Sequence, residues 1–174
     1  MLTDNYWKLF GAAMGKVAGS TESLALKGPD GSSCTGTAVS SSSKPFTLLG
    51  GIALSYASNY GSYYGVFWGT GTTPPTKEDY KMEAPLVDGS IATMGSRENM
   101  MKIDNGDHYL ISALHQVTNN TNRDIAITEA GLFGNWENAG KVFLLDRTVL
   151  ETPIVVPAKK TVPVEYAIRF LYGS

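Results

Sequence analysis

Thr161-Val-Pro-Val-Glu-Tyr-Ala-Ile-Arg-Phe170 places apolar side chains at Val162, Val164, Tyr166, Ile168 and Phe170 and puts Pro163, Glu165, Ala167 and Arg169 between them. A strict period of two marks a strand with one buried face, because successive side chains of an extended chain leave opposite sides of the backbone. Glu165, Ala167 and Arg169 then share the face that meets solvent or a partner. Upstream, His108–Val117 alternates in the same way through Tyr109, Ile111, Ala113 and Val117. Asn119-Asn-Thr-Asn122 reads as a turn, and Ile125 and Ile127 open a further strand that runs to Gly131-Leu-Phe-Gly134. The short polar connection predicts that these two strands form a hairpin. Asn135–Gly140 is a second polar turn, Lys141–Leu150 another strand, and Pro153 and Pro157 mark an irregular edge. Several antiparallel strands in close succession predict an all-β chain, an antiparallel β-sandwich whose two inner faces interdigitate.

Composition agrees. The 174 residues include 19 glycines and 8 prolines, which suits short strands and turns better than long helices. Charged residues make up 17% of the chain, against about 25% in an average protein. Fourteen Lys and Arg against 16 Asp and Glu leave a formal charge of -2, so there is no electrostatic footprint for nucleic acid or a membrane surface. The single cysteine, Cys34, excludes an internal disulfide framework and a cysteine-built zinc site, and fits assembly in a reducing cytoplasm. Leu9–Met14 is too short and too poorly flanked to act as a secretory signal or a membrane span. No internal repeat points to a propeller or solenoid.

Two regions follow from this reading: residues 1–55, an N-terminal arm with the first strands, packed on the same domain or on a neighbour, and residues 56–174, the sandwich. In the first, Leu2, Tyr6, Leu9, Phe10 and Ala13 lie on one helical face with Thr3 or Asp4 as cap, predicting a short helix over about 4–14. Leu24–Leu26 fits a short edge strand, followed by a turn at Gly28-Pro-Asp-Gly31. At the start of the second region Tyr56, Tyr60, Tyr63, Tyr64, Phe67 and Trp68 are interleaved with Gly and Ser. Such residues suit either the core or a contact surface for protein or sugar. With Tyr6, Trp7 and Phe10 they form the candidate assembly or binding surface.

Candidate catalytic groups are few. His108 and His115 are seven residues apart on one strand, an odd separation that sends them to opposite faces and denies them a shared metal or pocket. Glycosidase chemistry needs two facing carboxyl groups. Asp104 with Asp107, Glu78 with Asp79, and Glu129 with Glu137 or Asp146 are the available pairs, and each has a plainer reading as a turn, a cap or a structural charge. Gly69-Thr-Gly-Thr-Thr lacks the lysine of a phosphate-cradling loop. No catalytic residue, metal site or cofactor is therefore assigned. Glu129 and Arg147 stand apart: each is a charge within an otherwise apolar strand, where isolation would be costly and a bidentate ion pair would satisfy both.

The order of motifs carries one further reading. Val66-Phe-Trp-Gly-Thr-Gly-Thr-Thr-Pro-Pro-Thr76 is followed by Asp79-Tyr80, Ile127-Thr-Glu-Ala-Gly-Leu-Phe-Gly134, Phe143-Leu-Leu-Asp-Arg-Thr-Val149, Pro153-Ile-Val-Val-Pro157 and Val164-Glu-Tyr-Ala-Ile-Arg-Phe170. This succession resembles short virion structural proteins of tailed bacteriophages, among them tail-fibre attachment domains. The resemblance covers about Val66 to Phe170. It implies a non-enzymatic β-sandwich that assembles on the virion with other capsid or tail proteins and with copies of itself, as a capsid decoration or head-fibre protein or as a tail or baseplate adaptor. Two other functions compete: a receptor- or glycan-binding module of the tail that uses the aromatic segment on a host glycan, and a small cell-wall hydrolase that uses a carboxylate pair.

Overall fold

The computed structural model describes residues 1–8, 23–37, 65–95, 100–104, 108–136 and 141–171. Among these the chain is all-β apart from a helical turn over residues 4–8. Its strands are β1 (Ser23–Lys27), β2 (Ser33–Thr37), β3 (Gly65–Gly69), β4 (Ile91–Gly95), β5 (Met100–Asp104), β6 (His108–Asn119), β7 (Ile125–Trp136), β8 (Lys141–Val156) and β9 (Thr161–Leu171).

Every strand pair is antiparallel. One sheet has the order β3-β7-β8. In the other, β6 is central: β9 lies along one side of it, while β4 and β5 share the other, β4 against its C-terminal part and β5 against its N-terminal part. β1 and β2 form a separate hairpin closed at Gly28–Ser32, where Gly31 adopts the left-handed φ of 81° that favours glycine. Val66, Trp68, Ile127, Ala130, Leu132 and Val156 of the first sheet and Val117, Val164 and Tyr166 of the second make one buried cluster. The two sheets therefore close over a common core, as in a sandwich.

The hairpin expected between the strands now numbered β6 and β7 does not form. β6 pairs with β9, β5 and β4, while β7 pairs with β3 and β8, so the connection at 120–124 crosses from one sheet to the other. Asn119 makes that corner. Its fully buried side chain donates to the carbonyls of Arg123 (2.7 Å) and Val156 (2.9 Å) and accepts from the amide and hydroxyl of Thr121, both at 2.8 Å. The β8–β9 connection crosses at the same end, and the Asn119 amide bonds to Lys160 O.

The first sheet is buried on both faces. Phe67, Phe133, Val142 and Leu144 project away from the sandwich core and pack with Met82 of the loop that follows β3. Two irregularities between β7 and β8 create this arrangement. One falls between Ile127 and Glu129, so Ile127 and Ala130 share the inner cluster although three residues apart. The other leaves Leu145 without a register partner, so Leu144 and Arg147 both lie on the outer face.

The first residues add to this sheet. Leu2 bridges Asp146, Thr3 N donates to Leu145 O and Thr3 Oγ1 to Leu144 O, and Asn5 exchanges hydrogen bonds with the backbone of Lys27. The described part of the N-terminal region thus packs on its own chain. The remainder of the helix expected over 4–14 lies outside the described residues.

Candidate functional site

Gly69 and Gly71 flank the carboxylate of Glu129 so closely that a Cβ at either position would come within 2.6 Å of its Oε2. Absence of a side chain lets the backbone of the loop after β3 wrap the acid, which is what the Gly-Thr-Gly sequence is for here. Glu129 is fully buried on β7. Its Oε2 accepts from the amides of Gly71 (3.3 Å) and Ala84 (3.0 Å), and its Oε1 from the amide of Glu83 (2.7 Å) and from Nε of Arg147 (2.7 Å). Four donors offset a desolvation penalty that amounts to several kcal/mol for an unpaired ion.

Arg147 distributes its guanidinium across the same loop. Nη1 donates to Asp79 Oδ2 at 2.8 Å, and Nη2 donates to Thr73 O at 3.1 Å and to Glu83 Oε2 at 3.3 Å. One cation therefore binds three carboxylates. The Glu129–Arg147 contact is not the bidentate fork expected from the sequence. Nε alone reaches Glu129, because Nη1 and Nη2 are drawn to Asp79, Thr73 and Glu83.

The loop's own chemistry presents those partners. Glu83 accepts the amides of Thr72 and Thr73 on Oε2 and the Thr73 hydroxyl on Oε1, each at 2.8 Å. These Thr73 and Thr72 bonds and the nearby Arg147 charge hold its carboxyl below the ordinary value. Asp79 accepts the amide and hydroxyl of Thr76, both at 3.0 Å, closing a turn at residues 77–78. Burial raises the Asp79 carboxyl, but its bonds from Thr76 and Arg147 outweigh that and leave it lowered. Burial likewise opposes the charge on Arg147, and its bonds to Glu129 and Asp79 overcome this and raise it. Beyond the turn, Met82 enters the outer core, and Ala84–Leu86 returns beside β3 through Thr70 N to Ala84 O and Leu86 N to Trp68 O, each 2.9 Å.

Each position of Glu129-Ala-Gly-Leu-Phe-Gly134 has a place in this assembly. Glu129 is the clamp and Ala130 and Leu132 fill the inner core; Gly131 leaves the space occupied by Met82, and Gly134 the space occupied by Leu145. Phe133 meets Phe67 edge to face with centroids 5.3 Å apart. In Leu144-Leu-Asp-Arg147 the acid and the arginine point to opposite sides of the sheet: Asp146 accepts the buried hydroxyl of Tyr166 at 2.8 Å across the inner core, while Arg147 faces the loop. Burial, together with the Asp146 charge, raises the Tyr166 phenol well above its usual value.

Glu129 and Asp146 thus lie on opposite faces and form no carboxylate pair. Glu78 and Asp79 line an open cleft of about 390 Å³ over Arg147, with Asp79 bound to the guanidinium. Glu137 and Asp107 lie outside the described residues. His115 is buried against Trp68, edge to face at 5.7 Å. Among the described residues no group of three or more His, Cys, Asp or Glu is placed to hold a metal ion, and no helix is long and apolar enough to cross a membrane.

The aromatic surface requires correction at two positions. Phe67 and Trp68 are 6% and 3% exposed and belong to the outer and inner cores, because β3 is covered on both faces. Trp7 is exposed and stacks edge to face on the partly buried Tyr6. Phe10, Tyr56, Tyr60, Tyr63 and Tyr64 lie outside the described residues. Asp79, Glu83 and Thr73 were not foreseen as partners of Arg147; the available signal was that Asp79 follows closely on the Gly-Thr turn. No protein-family model, no curated protein and no solved structure matches this chain.

Proposed function

We propose that this protein is a structural component of a tailed-bacteriophage virion, an accessory part on the capsid or on the tail and baseplate that acts by protein-protein assembly. One observation carries the reading. The residues that bear the resemblance, Gly69, Gly71, Asp79, Glu129 and Arg147, converge on a buried clamp whose carboxylates are bound within the protein. Chemistry on a substrate needs a reachable acid or base; Glu129, fully buried and holding four donors, serves instead to lock a long loop onto a sheet. A doubly covered sheet with a pinned loop suits a rigid part that bears load in an assembly. Light scattering on the purified full chain, with mass spectrometry of purified particles of the phage that encodes it, tests the proposal. Self-association and presence in particles are expected; a strictly monomeric chain absent from particles rejects it.

A further inference from the structure

β9 pairs with β6 over its whole described length, from Thr161 opposite Thr118 to Leu171 opposite His108. Among the described residues no strand pairs with its other edge. An eleven-residue edge is a template for a further strand unless its residues obstruct one. Its only proline, Pro163, sits near the start, so the stretch from Val164 to Leu171 keeps every amide donor.

The charge order along β9 selects the added strand. Glu165 and Arg169 are placed symmetrically about Ala167, so an antiparallel second copy with its two-fold axis through Ala167 sets Glu165 opposite Arg169 of the other copy, twice. The same register sets Val164 opposite Phe170 and Tyr166 opposite Ile168. All side-chain positions stay on their proper faces, because the register preserves the period of two. In the β6–β9 register Glu165 stands opposite Leu114 and Arg169 opposite Leu110, so β6 sets no opposite charge directly across from either. Glu165 and Ala167 are exposed, and so is Leu114 beside them. Oppositely charged residues directly across an antiparallel pair stabilise it, and like charges there oppose it.

We infer that the edge of β9 with which no described strand pairs is a homodimer interface, in which two copies join antiparallel about Ala167 to make one continuous sheet through both sandwiches. This rests on the assembly reading above and names the surface used. Shift of the partner by one residue would put the buried set on the wrong face, and shift by two would bring Glu165 opposite Arg169 out of line; the register is thus specified by both patterning and charge.

The test is a charge exchange on the full chain, followed by analytical ultracentrifugation over a range of concentrations, with circular dichroism to verify folding. E165R alone and R169E alone each place like charges opposite one another and are expected to weaken dimerisation by at least about tenfold. The double variant E165R/R169E restores the complementarity and is expected to dimerise like the unaltered chain. In a C34S background, A167C is expected to form a disulfide-linked dimer under mild oxidation, whereas E165C, whose symmetry mate lies four positions out of register, is not. Single reversals that leave dimerisation unchanged, a double variant that fails to recover it, or equal cross-linking at 165 and 167 overturns the β9 interface. If the chain still self-associates in that case, the assembly reading survives and another surface carries it.

Discussion

Nε of Arg147 on β8 lies 2.7 Å from Oε1 of Glu129 on β7, and the loop after β3 closes over both through three backbone amides and two further carboxylates. Because the two residues sit near a bulge on neighbouring strands, one contact joins the sheet and the loop into a single unit.

Replacing Arg147 with Met removes the cation and leaves buried Glu129 and half-buried Asp79 without it. Breaking one side of a buried pair in this way costs about 3–5 kcal/mol. Urea unfolding is expected to show a loss of that order for R147M, and a loss for E129Q as well, because either orientation of the glutamine amide sets its NH2 against two of the four donors that Glu129 accepts. An R147M midpoint equal to that of the unaltered chain would show that the clamp contributes nothing to stability.

Gly71 and Gly89 offer a contrast between crowding and backbone strain. A Cβ at Gly71 would meet Glu129 Oε2 at 2.6 Å and Glu83 Cβ at 2.8 Å, whereas one at Gly89 would meet nothing within 4 Å but would have to adopt a φ of +80°. G89A should cost about 1 kcal/mol, the left-handed penalty alone. G71A should cost about 1–3 kcal/mol and should also speed hydrogen exchange of the amides of Thr72, Thr73 and Ala84, which report on the loop. Equal exchange in the two variants would contradict the packing of Gly71 on the clamp.

Acid should loosen the loop before it unfolds the sandwich. Asp79 and Glu83 titrate below their ordinary values of 3.8 and 4.5. A carboxyl lowered by folding contributes stability that is fully present above the unfolded value and is lost as pH falls through the folded one. Melting temperature is therefore expected to hold steady down to about the ordinary carboxylate range and to decline below it. The D79N/E83Q variant should start lower and show a shallower decline; an identical slope would remove these two groups as its source.

Tyr166 makes the opposite prediction at high pH. Its phenol is raised by burial and by Asp146, so the unfolded chain ionises first and stability falls as pH climbs above the ordinary value of 10.0. Y166F should lose about 1–2 kcal/mol at neutral pH by orphaning one bond to Asp146, yet should lessen the alkaline decline. Denaturation of both proteins on either side of that pH distinguishes the effects.

Asn119 provides the fifth test. N119D turns two donors, aimed at Arg123 O and Val156 O, into acceptors facing carbonyls, and should cost about 1–3 kcal/mol. Amides of residues 120–124 and 157–161 should exchange faster in the variant while those of β7 remain protected. Uniform loss across the chain, or none, would argue against Asn119 as the local tie between the two crossovers.

The strands themselves were legible because alternation is a local property. The run Val162 to Phe170 could be assigned from its own residues, and β9 follows it. A glutamate and an arginine within apolar strands also announced a need for partners, since a buried charge without one is costly. Strand pairing was not legible in the same way. The short turn after Asn119 suggested a hairpin, but neighbouring strands exchange partners when a buried side chain can satisfy the corner, and Asn119 does so with bonds to residues 2, 4 and 37 positions away.

The same limit applies to the clamp and to β3. Phe67 and Trp68 looked alike as aromatic positions, yet one fills the outer core and the other the inner, because a returning loop covers the face that a two-layer sandwich would leave open. Chain-local chemistry set which segments are extended and which face of each is apolar. Contacts between residues 58 to 74 positions apart, Gly71 to Glu129 and Arg147 to Thr73 and Asp79, depend on how the sheets close and on two bulges that reset the alternation. A period of two carries no information about where it will be broken, so those contacts become visible only once the strands are in place.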